Sequence, residues 1–180
     1  IELATKNADD GLLRTYRLAL ACTGEYAQYH LNNQGIPSNA SDEEKKAAVL
    51  SAMNTAMTRV NGIYENEIAV TMVIVANNTD IIFLNAASDP YTNNNGGTML
   101  GQNQSTIDAT IGSANYDIGH VFSTGGGGIA GLGVVCSNNN KARGVTGLSS
   151  PIGDGFYVDY VSHEMGHQFR ANHTQNNNCN

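Results

Sequence analysis

A chain of 180 residues with 41% hydrophobic content can bury one sizeable core and reads as a single domain. Its 16 acidic against 9 basic side chains give a formal charge of −7, which argues against nucleic acid and against anionic membrane surfaces as partners. No apolar run approaches the roughly 20 residues that span a bilayer, and the start at Ile1, without a signal-like segment, reads as a mature product stripped of leading segments.

Residues 14–22 alternate Tyr16, Leu18 and Leu20 against Arg17 and Ala19 and predict a strand. Thr23 stands where it can cap a short helix carrying Tyr26 and Tyr29. Ser41-Asp42-Glu43-Glu44 is a capping box with an acidic first turn, and behind it Val49, Met53, Ala56, Met57, Val60 and Tyr64 trace one helical face. A methionine stripe at that spacing belongs to a core rather than to a cofactor site.

Residues 68–75 and 81–84 are apolar and β-branched, and the turn residues 77–80 between them predict a hairpin. Residues 85–104, dense in Asn, Gly and Asp, read as loop. The oxygens of Asp89, Asn93 and Asn95 are hard ligands suited to Ca²⁺, although ordinary turn chemistry explains the same residues without a metal. A short helix is expected over 105–115 and a strand over 118–122, where the lone His120 is read as structural. Gly125 to Gly128 form a flexible run. It is a poor phosphate cradle, because no strand–glycine–helix sequence follows. It opens instead into 129–136, read as the edge strand of a cleft. Such an edge offers unpaired N–H and C=O groups to which an extended peptide adds, and bare glycines let that peptide approach closely.

Cys22, Cys136 and Cys179 are an odd number at spacings no zinc ribbon uses. Packed as small apolar groups they need no partner. Asn39-Ala40-Ser41 and Asn77-Asn78-Thr79 match glycosylation acceptors, as chance allows in a chain this rich in asparagine.

The segment His163-Glu164-Met165-Gly166-His167-Gln168-Phe169-Arg170-Ala171-Asn172-His173 gathers three of the chain's 5 histidines. On a helix, His163 and His167 share one face about a turn apart, and two such nitrogens can hold one Zn²⁺ at roughly 2.0–2.1 Å each. Glu164, rotated away, can reach a water beside the metal without ligating it. His173 joins only if the chain turns after Phe169. Three neutral nitrogens leave a fourth position open, as a catalytic zinc requires. The bland alternative is a solvated polar face. Val161, Met165 and Phe169 on the opposite side weigh against it, because they give the helix an apolar back for a core. No glutamate follows Glu164, which disfavours a thermolysin-like ligand set.

These residues resemble the metzincin metallopeptidases, in particular the reprolysin or adamalysin-like branch and its bacterial relatives, whose pattern is HExxHxxGxxH. Gly131-Leu132-Gly133-Val134-Val135-Cys136 followed by Gly144-Val145 is similar to the family's substrate-flanking edge strand, its cysteine and the next strand. Tyr116-Asp117-Ile118-Gly119-His120-Val121 is similar to the strand leading into that rim. The resemblance implies an α/β fold: a twisted, mostly parallel sheet of about five strands with an antiparallel edge strand, plus long helices including the zinc-binding one. It implies His163, His167 and His173 as Zn²⁺ ligands, Glu164 as general base, and Gly131 and Leu132 as substrate-binding residues.

Two positions depart from the family pattern. Arg170 stands where the family has a glycine that ends the helix in a left-handed conformation, at a cost of about 1–2 kcal/mol for another residue. The family's methionine turn lies well beyond the third histidine, and Met165, inside the motif, cannot serve as it. The chain therefore reads as residues 1–180 of one catalytic domain, mainly the N-terminal subdomain through the zinc motif, without the C-terminal subdomain. A C-terminal fragment of the same precursor is then a candidate partner, and the resemblance implies disulfide partners for Cys136 and Cys179 there.

The expected function is that of a secreted zinc endopeptidase acting on protein or peptide substrates. The metal polarises the scissile carbonyl and activates a water, while Glu164 takes its proton and passes it to the leaving amine. The competing reading, supported by Arg170 and the missing C-terminal part, is a catalytically weak or inactive module that keeps the scaffold for binding peptide.

Overall fold

Strand β1 (Arg14–Cys22) is apolar on both faces over its last five residues, and a strand of that composition needs cover on both sides. The computed structural model, which describes residues 10–176, supplies it. Leu18, Leu20 and Cys22 face a core built with α1 (Gly24–Asn33) and α2 (Asp42–Ile68), while Ala19 and Ala21 face a second core built with α3 (Gly96–Thr110). The sheet between these layers has the order β2-β1-β3-β5-β4, with β2 (Val70–Ile74), β3 (Ile118–Ser123), β4 (Gly127–Ala130) and β5 (Gly144–Gly147). All neighbours are parallel except β4, which lies antiparallel to β5 at the edge, as expected from the sequence.

The helix signals are where the sequence puts them. Thr23 accepts the Tyr26 N–H at 3.3 Å and caps α1. Ser41 and Glu44 form the reciprocal capping box of the 27-residue α2, whose stripe from Val49 to Tyr64 is buried. Each fully buried apolar side chain of that stripe contributes roughly 1.5–3 kcal/mol.

Three expectations need correction. Residues 68–75 and 81–84 do not form a hairpin: β2 pairs parallel with β1, residues Asn78–Ile81 form a 3₁₀ turn, and Ile82 makes one parallel bridge to Cys22. A hairpin partner would need the outer edge of β2, and there the Asn61 amide bonds both the Met72 N–H (3.0 Å) and C=O (2.8 Å). Asn78 does the same to Leu20, at 2.8 Å to each group, so one side chain extends the β1 ladder past the end of β2.

The loop expected over 85–104 ends at Asn95, which caps α3 through the Thr98 N–H, and the helix expected over 105–115 starts at Gly96. Met99, Leu100, Asn103, Gln104 and Ile107 line its buried face, and this packing outweighs three helix glycines worth about 1 kcal/mol each. The edge strand runs Gly127–Ala130 rather than 129–136. Beyond it Gly133 turns at φ 67°, and the N–H groups of Gly133 and Val135 bond the carbonyls of His167 (2.9 Å) and Gln168 (3.3 Å) instead of a strand.

Candidate metal centre

The helical segment carrying the three histidines begins with α4 (Asp154–Phe156), passes through a π-helical stretch over Tyr157–Ser162, and continues as α5 (His163–Gln168). Wider π turns concentrate at functional sites. Tyr64 of α2 bonds the Ser162 carbonyl at 2.8 Å, at the junction where the helix changes width. Val161 and Met165 are fully buried and Phe169 packs against the same core, so the apolar back expected of this helix is present.

α5 ends in a Schellman turn. Arg170 N–H bonds His167 O at 2.8 Å and Ala171 N–H bonds Gly166 O at 2.8 Å, with Arg170 left-handed at φ 79°. Arginine thus adopts the conformation that glycine favours. The support that Arg170 lent to an inactive module falls away, because the chain turns despite it and brings His173 back to the helix.

His163, His167 and His173 converge. Their Nε2 atoms stand 3.1–3.2 Å apart in all three pairs. Two nitrogens at about 2.0–2.1 Å from one tetrahedral zinc would be separated by about 3.3 Å, so the triangle is the size such an ion needs. The His167 ring is oriented from behind: its Nδ1 lies 2.7 Å from Ala171 O. A carbonyl only accepts, so Nδ1 carries the proton and Nε2 presents its lone pair. Burial and the two neighbouring imidazoles lower the pKa of His163, which favours the neutral, ligating ring. The donor set fits one zinc ion. The three rings line a cleft of about 770 Å³ together with Asp159 and Ser162.

Glu164 lies against the edge strand at Gly128 and is 7% exposed. Burial raises its carboxyl above the usual carboxylate range, with His167 pulling the other way. On the edge strand, Gly131 N–H bonds Arg143 O at 2.8 Å, one step beyond the register pair Ala130–Gly144. Antiparallel pairs alternate, so Ile129 and Gly127 bond β5 while Gly128 and Ala130 turn their N–H and C=O to the open side. Gly131 lies just past the strand and Leu132 is exposed in the following turn. The open-side pair was missed because four consecutive glycines carry no pattern that marks register.

His120 is fully buried and belongs to the scaffold behind the triad, bonded to Gln168 and Thr146 at 2.8 Å each. The oxygens of the proposed Ca²⁺ ligands serve turns and caps. Asp89 accepts the N–H groups of Gly24 and Tyr91, Asn93 accepts from Thr23 and Thr124, and Asn95 caps α3. Cys22 is buried and Cys136 exposed, and they form no disulfide among the described residues; Cys179 lies outside them.

A family model described as Metallo-peptidase family M12B Reprolysin-like matches residues 50–174, from the middle of α2 through the third histidine. No curated protein matches the chain.

Proposed function

The chain belongs to the reprolysin-like M12B metallopeptidases, and on that footing we propose that it is a secreted zinc endopeptidase with His163, His167 and His173 as ligands and Glu164 as general base. The observation that carries this reading is the convergence of three Nε2 atoms within hydrogen-bond distance of one another, on a helix whose next residue after His163 is a shielded carboxylate.

A bound zinc supplies Lewis acidity toward the scissile carbonyl and a lowered pKa for the water beside it. The other steps belong to the chain. Glu164 accepts a proton from the attacking water and delivers it to the leaving amine nitrogen, and a carboxyl raised by burial suits both transfers. Ala171 O holds the His167 ring in one tautomer throughout. An extended peptide pairs with the open-side groups of Gly128 and Ala130, which aligns its backbone along β4. Gly131 and Leu132 flank that peptide, the exposed Leu132 side chain offering it an apolar contact.

Secretion would put the exposed Cys136 thiol in an oxidising setting, where a C-terminal fragment of the same precursor could serve as its disulfide partner. Intact-mass measurement under non-denaturing conditions tests that pairing.

The central experiment compares wild type with Glu164→Ala for zinc content and for hydrolysis of labelled casein with and without chelator. Wild type is expected to cleave casein in a chelator-sensitive way, and Glu164→Ala to keep its zinc without cleaving. Undiminished hydrolysis by Glu164→Ala removes the role given to that carboxylate.

A further inference from the structure

We propose that Gly128 is a positioning residue for the Glu164 carboxylate: the bare Cα of the edge strand forms the wall against which the base rests. This builds on the peptidase reading above. A Cβ at position 128 would fall on Glu164 Cγ, 2.5 Å from Oε1 and 2.7 Å from Cδ, distances no real Cβ tolerates. Backbone conformation does not require a glycine there. Gly127 sits at φ 89°, whereas Gly128 is not among the residues at positive φ. What the position requires is space for Glu164.

Glu164 is 7% exposed, and its Cγ, Cδ and Oε1 are the atoms nearest to where a Cβ at 128 would stand. Contact with the strand therefore defines where its oxygens lie. Nor can α5 retreat to make room for a larger residue at 128. Gln168 is fully buried and bonded to Gly119 O at 2.9 Å and to His120 at 2.8 Å, and Gly133 N–H holds His167 O at 2.9 Å. A methyl at 128 must be met by rotation of the Glu164 side chain. The same residue turns its N–H and C=O to the open side of β4, so one glycine sets the base on one side and the peptide on another.

The test uses Gly128→Ala, with Gly62→Ala in α2 as control, since a Cβ at 62 meets nothing within 4 Å. Zinc content and the kcat and KM for labelled casein are measured for both. Gly128→Ala is expected to keep zinc and KM while kcat falls roughly ten- to hundredfold, the scale of an ångström-level misplacement of a reacting group. Gly62→Ala should match wild type in kcat and KM. An unchanged kcat in zinc-loaded Gly128→Ala overturns the proposal.

A second cycle needs no turnover. The fall in Tm caused by Gly128→Ala should be much smaller in Glu164→Ala, where the clashing atoms are gone, and additive Tm changes overturn the contact. Should Gly128→Ala fail to fold, recovery of folding in the Glu164→Ala background supports the contact and its absence overturns it. If wild type shows no chelator-sensitive hydrolysis while the Tm cycle is coupled, the peptidase reading fails and the steric relationship stands.

Discussion

Gln168 Oε1 and His120 Nδ1 are 2.8 Å apart in the seam between α5 and the sheet, one residue beyond the second histidine of the triad. The Gln168 Nε2 donates to Gly119 O at 2.9 Å, which leaves Oε1 facing the ring, so His120 Nδ1 carries the proton. Its Nε2 then accepts from the Thr146 hydroxyl at 2.8 Å. Every member of this chain of bonds is buried, and Gly144 makes it possible: a Cβ there would lie 2.5 Å from Gln168 Cδ. The helix end that carries His167 is thereby tied to β3 and β5 at once.

Breaking this network leaves buried polar groups without partners, at about 1–3 kcal/mol each. Gln168→Leu strands the His120 N–H and the Gly119 carbonyl and is expected to cost roughly 2–4 kcal/mol of unfolding free energy. His120→Leu should cost a similar amount, and the double variant less than the sum, because the two residues share one bond. Urea denaturation of the three variants checks this, and strictly additive losses count against the network.

Stability should also fall with acid in a defined window. Burial lowers His120 to about 4, opposed by its bond to Gln168, and lowers His30 to about 4, opposed by the Pro151 backbone. A depressed histidine binds fewer protons folded than unfolded, so its neutral form contributes fully above pH ~6.5 and that contribution is lost as pH falls toward 4. Each site is worth up to about 3 kcal/mol over that range. The carboxyl of Asp117, lowered by the Arg17 guanidinium, acts only below the ordinary aspartate range and does not blur the window. Urea midpoints at pH 7, 5.5 and 4.5 in the presence of chelator should decline steadily in wild type and less steeply in His30→Asn. A flat profile between pH 7 and 4.5 contradicts this.

What the sequence revealed of this fold was what neighbouring residues decide. Thr23 and the Ser41–Glu44 box announce helix starts, because caps are made within a turn. The histidine triad was visible for the same reason: two ligands lie one turn apart and the third lies just past a tight turn. The failures involve partners far along the chain. Asn61 and Asn78 each do the work of a strand residue, and nothing near them indicates that Met72 or Leu20 is the partner. Gly96, Gly97 and Gly101 made α3 look like loop, although its face from Met99 to Ile107 repeats at helical spacing. The short β4 hid in a glycine run because its cross-strand neighbours, not its own side chains, give it shape.

Arg170 offers a test of backbone strain. Its left-handed φ of 79° costs about 1–2 kcal/mol, which glycine would relieve, while the added freedom of an unfolded glycine returns about 0.5–1 kcal/mol of the gain. Its Cβ, Cγ and Cδ also pack over Gly133, a contact glycine would lose. Arg170→Gly is therefore expected within about 1 kcal/mol of wild type by thermal unfolding, with casein hydrolysis retained. Arg170→Val, β-branched at positive φ, should lose about 2 kcal/mol or more and release zinc at lower chelator concentration, since the turn that delivers His173 is strained further. Equal stability of the two variants would falsify the strain argument.

The last prediction concerns the triad as a thermodynamic object. An unfolded chain does not hold three imidazoles 3.1–3.2 Å apart, so zinc that binds through them binds the folded state and must stabilise it. At free zinc a hundredfold above Kd the gain is about 2.7 kcal/mol, and each further tenfold adds about 1.4 kcal/mol. Unfolding of chelator-stripped protein should shift upward with zinc on that logarithmic slope. His163→Ala, His167→Ala and His173→Ala should each flatten the response, because two nitrogens alone do not make the site. Asp159→Asn should leave the slope intact, since Asp159 lines the same cleft without joining the cluster. A zinc shift that survives loss of His173 while vanishing with Asp159 would mean that the ion is held elsewhere in the cleft, and that the turn at Arg170 serves packing rather than metal binding.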